Sequence, residues 1–476
     1  MKKIYSCLLI LLAVWLAAGC RKQLNALPTQ QPVEGNAIVD LASADRVMRG
    51  VYYRFANASK AATDWSSHQR LPAFMTGLLG NGYNTVRIEK NEYAEKDELS
   101  ILWIYSYRLI NEANGLLKGV DALPADPLTG KHKQELLGQG RFMRAYGHFK
   151  LLSYFAHWYD SDSPYGILLR TAFVTPATIA QPRSTVKESY DQVLEDIDFA
   201  INNAPDSSDP GTVNRWTAKL LKMRVLLCRA HTGDQEEVIR LGTDIIQNSP
   251  YILEPFTRDI FYKKGLASKE VMLGIAPQPG QEQYYNNTSA AYLGANRLTV
   301  ALPACKKLFE NDPRQSWMIG ELAEVSGVYI DTGYYFIKYA RKGDKVTPVA
   351  ETVYAFRLTE VYLLLAEALV RSGQDLPKAR NLLRTVMQHG QVTDFTAINN
   401  AITANDLLKQ LYFEVCRNLV AEDGAEWMAL LRFPLETVQI VRPTIRSKKQ
   451  YTAPVPFNEL QNNPIFGSQN PGYPGK

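Results

Sequence analysis

The last 26 residues, Tyr451 to Lys476, carry five prolines behind a body whose apolar spacing is helical. Pro454, Pro456, Pro464, Pro471 and Pro474 each lack a backbone donor and fix φ, so no helix or central strand is expected to run through here. Val455, Phe457, Leu460, Ile465, Phe466 and Tyr473 make the same stretch too apolar for a solvated tail. The expectation is an irregular coil, 451–476, laid back along the body through Val455, Leu460, Ile465 and Tyr473.

That body reads as helices. Leu99–Leu117 places Leu102, Trp103, Tyr105, Leu109, Ile110, Ala113, Leu116 and Leu117 at helical spacing, and Gln134–Phe155 does the same with Leu136, Leu137, Phe142, Tyr146, Phe149 and Leu152. A further helix, Val186–Asn203, is stopped by Ala204-Pro205. Trp216–Ile246 and Phe356–Met387 resemble each other when Gly233-Asp234 is set against Gly373-Gln374: an apolar helix, a glycine turn, then an amphipathic helix. A unit of about 32 residues is the size of a tetratricopeptide repeat, although its full consensus is absent. Stacked pairs of this kind bury a continuous core and leave side faces free.

Two segments break the pattern. Asn57–Tyr93 contains Trp65, Gly77, Gly80, Gly82, Tyr83 and Asn84, and Tyr251–Pro348 is rich in Gly, Pro, Tyr and Asn. Only short strands are expected there, at Glu270–Ile275 and Tyr334–Tyr339. Long loops on a helical scaffold are where binding sites concentrate. The fold class is therefore mainly α: a TPR-like helical-pair scaffold, with helices at about 99–155, 186–247 and 355–390. A loop-rich, irregular second lobe with few short strands is expected at about 57–93 and 251–348.

At the N-terminus, Lys2-Lys3 precede an apolar run, Leu8–Ala18, of signal-peptide length and too short for a comfortable membrane span. The run ends in Leu16-Ala17-Ala18-Gly19-Cys20, which resembles a bacterial lipobox. Residues 1–19 are read as a lipoprotein signal peptide, Cys20 as the lipidated residue and 20–34 as its tether; dual acylation gives stable anchoring. No other stretch is long and apolar enough to cross a bilayer. The net charge of +5 is too small and too evenly spread for nucleic-acid binding. Cys228, Cys305 and Cys416 have no metal-ligand spacing; buried free thiols are expected, with one disulfide open as an alternative.

No catalytic motif is present: HExxH, GxSxG and GxxxxGK are all absent. Asp160-Ser161-Asp162 with Gly166 lacks the remaining ligands of a calcium loop and reads as a polar turn. Glu321 and Glu324 read as a solvated helical face rather than a glycosidase pair. In Arg141–Tyr159 the rings share one helical face, and Arg141, Arg144 and Lys150 lie on others, solvated or paired with carboxylates. No catalytic residue, metal or cofactor is expected.

Five separated segments together resemble the SusD/RagB family, surface lipoproteins of nutrient-uptake systems in Bacteroidetes. They are Trp103, Tyr107, Ile110, Asn111 and Asn114 (W-x3-Y-x2-I-N-x2-N); Gly140–Tyr146 (GRFMRAY); Tyr190–Ala200 (YDQVLEDIDFA); and Arg357–Leu369 with Glu360, Leu363, Ala366, Glu367 and Ala368. The fifth is the tail, with Pro454-Val455-Pro456, Glu459-Leu460, Asn463-Pro464 and Gln469-Asn470-Pro471-Gly472-Tyr473. The chain departs from the pattern at Val415 and Glu426, where arginines are usual, and at Leu382–Val386.

The resemblance implies one unit over 35–476: a non-catalytic, lipid-anchored protein of the outer membrane, facing the cell surface. Its helical half would dock on a SusC-like TonB-dependent transporter, and its loop-rich half would present an oligosaccharide to the pore. A peptide or other nutrient receptor is the alternative; a lipid-anchored hydrolase and a transporter plug without a ligand are the readings from other classes. No ligand residue transfers by motif. On physical grounds the candidates are the loop aromatics Trp65, Tyr83, Tyr284, Tyr285, Tyr292 and Trp317, whose faces match sugar rings, with Asn84 and Asn287 to bond hydroxyls.

Overall fold

The computed structural model describes residues 37–474 apart from 60–62, 84, 127, 208, 278–280, 282–287, 293–297, 327–328 and 341–346. The signal segment, Cys20 and the tether lie outside the described residues. The main helices are α1 (Leu41–Phe55), α2 (Ser66–Thr76), α3 (Ser100–Asp121), α4 (Gly130–Phe155), α5 (Val186–Asn203), α6 (Arg215–Arg229) and α7 (Asp234–Asn248). After the second loop-rich segment come α8 (Leu358–Ser372), α9 (Leu376–His389), α10 (Ala404–Leu419), α11 (Ala425–Leu431) and, in the tail, α12 (Phe457–Asn462). The chain is mainly helical, as its periodicity predicts.

Side-chain caps fix where several helices begin. Asp40 and Ser43 form a capping box on α1, Thr185 and Glu188 form one on α5, and Asn214 caps α6. In sequence order α3 packs on α4, α4 on α5, α5 on α6 and α6 on α7. The array then continues across a gap in sequence, because α7 packs directly on α8, which packs on α9 and α10. The two similar helix–turn–helix units are thus neighbours. Gly233 and Gly373, at their turns, both take left-handed φ (87° and 70°), where a side chain would be strained.

The segment between those units is an insertion. It leaves through β2 (Val271–Ile275) and returns through β6 (Val353–Arg357), an antiparallel ribbon buried along its length. Within it, β4 (Ile319–Ser326) and β5 (Tyr329–Phe336) form a hairpin, and β1 (Leu79–Gly80) and β3 (Val300–Ala301) complete a sheet in the order β1-β3-β5-β4. Glu321 and Glu324 therefore lie on a strand, not on the helical face expected of them.

The loop-rich and helical halves are tied at one corner. Ala421, Asp423 and Gly424 all have positive φ, turning the chain sharply between α10 and α11. The Glu422 carboxylate, on one side, holds Arg357 at 2.7 Å and Lys338. Asp423, on the other, holds Lys150 at 2.6 Å and Arg224 at 2.7 Å, and accepts from the Tyr146 hydroxyl at 2.7 Å. These cations hold Asp423 well below the usual carboxylate range against the opposing effect of burial. Arg144 is likewise carboxylate-paired, with two 2.7 Å bonds to Asp196. Cys228, Cys305 and Cys416 are free and buried.

The tail is packed, with two corrections. A short helix, α12, does form, because Pro456 sits immediately before it, where a missing N–H costs nothing. The anchor at its far end is Phe466, which is buried between Trp103 and the Arg183 guanidinium, whereas Ile465 is 54% exposed. Val455 and Leu460 are buried and Tyr473 partly so. Side chains replace the ladder that the prolines forbid. Asn470 donates to the carbonyls of Phe155 and Ala453 at 2.8 Å, and Gln469 accepts from Val455 N–H at 2.8 Å.

Two outcomes follow. Phe466→Ala lowers unfolding free energy by about 3 kcal/mol in urea titrations, Ile465→Ala by less than ~0.5 kcal/mol, and deletion of 451–476 by more than either. Burial pushes the Glu426 carboxyl up to about 8; Oε1 accepts from Ala421 N–H and Oε2 has no partner. The folded state therefore binds a proton that the unfolded chain releases above about pH 4.5, and Glu426 makes stability fall as pH rises from about 4.5 to 8. Glu426→Gln, which keeps the acceptor, removes that decline. Melting curves across this range should converge at acid pH and favour the variant at pH 8, by on the order of 3 kcal/mol.

Candidate functional site

The two loop-rich segments, distant in sequence, build one lobe. Leu79 pairs with Ala301 and Gly80 with Val300, and Leu302 N–H donates to the Leu78 carbonyl at 3.0 Å. Gln281 reaches back to the first segment, accepting from Thr63 Oγ1 at 3.0 Å and donating to Ser59 O at 2.8 Å. Arg70 of α2 donates through Nη2 to the Leu298 carbonyl.

The first segment is more regular than its glycines imply. Asp64 accepts from Ser66 N–H at 3.1 Å just ahead of α2, which carries Pro72 in its interior and ends at Gly77. Tertiary contact outweighs the proline's intrinsic penalty: α2 packs on α11, with Pro72 beneath Gly424.

This packing decides which predicted aromatics reach solvent. Trp65, Tyr292 and Trp317 are 1%, 1% and 6% exposed. The Trp65 indole stacks on His68 at 4.5 Å and donates to the Phe55 carbonyl at 2.8 Å. Tyr292 packs on Tyr339 and Phe336, and Trp317 stacks on Phe261 at 5.9 Å. Their faces are covered by protein, so these three are corrected from ligand contacts to core anchors of the lobe. Tyr83 is 67% exposed, held out by an Asn81 side chain that accepts its N–H at 2.9 Å. Asn84, Tyr284, Tyr285 and Asn287 lie outside the described residues. Tyr334, on β5, is partly exposed, but the Lys306 ammonium lies 3.5 Å from its ring centre and covers one face.

Concavities are found on other parts of the described surface, among them one of about 660 Å³ lined by Tyr93 and Tyr473. An enclosed cavity beside Lys150, Tyr154, Arg224 and Asp423 has about 40 Å³, room for a few waters at most. Two contiguous grooves along α3 and α12, about 680 and 650 Å³, share Trp103, Ile104, Arg170, Ile179 and Glu459. They offer little open aromatic face, since Trp103 is buried and the Lys96 ammonium sits 3.9 Å over Phe457.

Comparison with known proteins agrees with this architecture. A family model described as starch-binding associating with outer membrane matches residues 43–220, and one described as SusD family matches 311–443. A SusD-like protein of Bacteroides ovatus is 22% identical over 392 residues, covering 74% of this chain and 67% of the relative. Among solved structures, a SusD superfamily protein from Bacteroides thetaiotaomicron superposes with a TM-score of 0.73 at 20% identity, over 91% of this chain and 100% of that one. A laminarin-binding SusD-like protein gives 0.70 at 21% identity, over 91% and 99%. At these identities the structural likeness is one of fold.

The placement of the aromatics is testable without a ligand. Trp65→Ala should cost about 3–5 kcal/mol in chemical unfolding, and Tyr83→Ala less than ~0.5 kcal/mol.

Proposed function

The chain belongs to the SusD family, and on that premise we propose that it is a non-catalytic binding protein for oligosaccharides. It would be lipid-anchored at Cys20 in the outer membrane, face the cell surface, and pass its ligand to a SusC-like TonB-dependent transporter. The observation that carries the reading is structural. Two segments remote in sequence merge into one loop-rich lobe, set on a helical array held by buried ion pairs, and this lobe offers Tyr83 at its surface. Rigid scaffolds with presented loops suit recognition, and open tyrosine rings suit the apolar faces of sugars. The family description, starch-binding associating with outer membrane, supports the ligand class and the location. Tyr83 remains the candidate contact within the described residues, with Asn84 next to it in sequence and Tyr284, Tyr285 and Asn287 in the second loop-rich segment.

The test uses the chain from residue 21 onward, free of its anchor. Calorimetric titration with a panel of oligosaccharides should give binding without new reducing ends. Tyr83→Ala should weaken it at least about tenfold, the scale of one aromatic–sugar stack. Cleavage of the saccharide would overturn the non-catalytic reading, and binding of peptides alone would favour the peptide-receptor alternative. Affinity purification of the full-length chain from its own outer membrane should bring down a transporter barrel.

A further inference from the structure

Three described arginines keep an enclosed N–H without a hydrogen-bond partner: Arg70, Arg215 and Arg371. Arg215 and Arg371 each hold a carboxylate, Asp206 and Glu367. Arg70 holds none. Its Nη2 donates to the Leu298 carbonyl, its central carbon lies 5.2 Å from the Phe74 ring centre, and its Nε–H is enclosed and unpaired. Arg144, Arg224, Arg314, Arg357 and Arg432 are matched by carboxylates. Among the described residues Arg170, Arg183 and Arg442 have no carboxylate either, but each spreads its donors over several carbonyl or amide oxygens, whereas Arg70 has the Leu298 carbonyl and an enclosed N–H left over. Withdrawing a cation from water is costly unless a counter-charge compensates, and a guanidinium held half-buried without one favours an incoming anion.

The surroundings point the same way. The hydroxyls of Tyr292 and Thr299 are enclosed and unpaired. Thr299 directly follows the carbonyl that Arg70 bonds, and Tyr292 is close enough for the Arg70 charge to act on its hydroxyl. The group sits at the junction where the first loop-rich segment joins the second, beside the Leu78–Leu302 bond and the β1–β3 pairing. Backed by Phe74 and tied to Leu298, Arg70 is pre-oriented, and the planar guanidinium matches a carboxylate better than a hydroxyl.

We propose, resting on the saccharide-binding reading above, that the lobe takes an acidic oligosaccharide and that Arg70 pairs with a carboxylate of that ligand. Arg70 is then the residue that separates uronate-containing chains from neutral ones of the same shape.

The experiment titrates the anchor-free chain with galacturonate, guluronate and glucuronate oligosaccharides, their carboxyl-reduced counterparts, and laminari-, malto- and cello-oligosaccharides. At least one uronate oligosaccharide should bind, its carboxyl-reduced form at least tenfold more weakly. Arg70→Met should abolish that difference and Arg70→Lys should keep part of it, with acid binding weakening as salt rises. Binding of neutral saccharides only, or acid binding unchanged in Arg70→Met, overturns the role of Arg70 and leaves the saccharide reading standing. No binding of any saccharide overturns both. Melting temperatures of the variants report folding, and if Arg70→Met does not fold, the carboxyl-reduced ligands and Arg70→Lys decide the question.

Discussion

Two consecutive buried carboxylates hold this molecule together. Glu422 and Asp423 sit in a left-handed corner and point into opposite halves, Glu422 to Arg357 and Lys338 of the insertion, Asp423 to Lys150, Arg224 and Tyr146 of the helical array. Buried ion pairs contribute little net stability over a well-packed apolar alternative, but removing one partner leaves an uncompensated charge and costs about 3–5 kcal/mol. Their effect here is on specificity. This docking of the insertion on the helices satisfies both carboxylates at once, and Gly424 permits it, since a Cβ there would meet the Tyr154 hydroxyl at 2.3 Å. Glu426, two residues on, is the weak point of the corner, kept neutral near physiological pH by burial.

Seen from that corner, the architecture separates two tasks. The helical hairpins α6–α7 and α8–α9 are neighbours in space, so the array is continuous even though about a hundred residues intervene in the chain. The insertion leaves and returns through the β2–β6 ribbon, and its interior is fastened to the stack by the Lys338–Glu422 and Arg314–Glu414 ion pairs. A scaffold of this kind suits a family whose members share the frame and differ in what the loops recognise. In this chain the loops leave Tyr83 exposed, and Arg70 of α2 is half-buried beside them with no carboxylate partner among the described residues.

The motif residues that identified the family turn out to be structural. Asn111 Oδ1 accepts from Val174 N–H, Asn114 donates to the carbonyls of Arg170 and Ala172, and Tyr107 bonds Leu168, so the α3 motif pins the segment that follows α4. Arg144 and Asp196 join two further motifs in one ion pair. These positions were legible because each needs a particular side chain. The site was far less so. Aromatic content located the lobe but could not separate Trp65, Tyr292 and Trp317, which are covered by their neighbours, from Tyr83, which is not. Arg70 gave no signal, since what distinguishes it, an enclosed N–H left unpaired together with the lack of a carboxylate partner among the described residues, exists only in three dimensions.

The sequence by itself determined the local structure: helix positions from apolar spacing, the hairpin turns at Gly233 and Gly373, and a packed tail from prolines alternating with apolar residues. Those properties depend on neighbours within a few residues along the chain. It also determined that the tail has anchors, but Ile465 and Phe466 are adjacent and equally apolar, and only contact with Trp103 and Arg183 selects the second. Tertiary structure alone decided that α2 forms around Pro72, that two remote loops share one sheet, and which rings and charges remain open. Burial and charge pairing join residues hundreds of positions apart, and no local pattern records which partner each will meet.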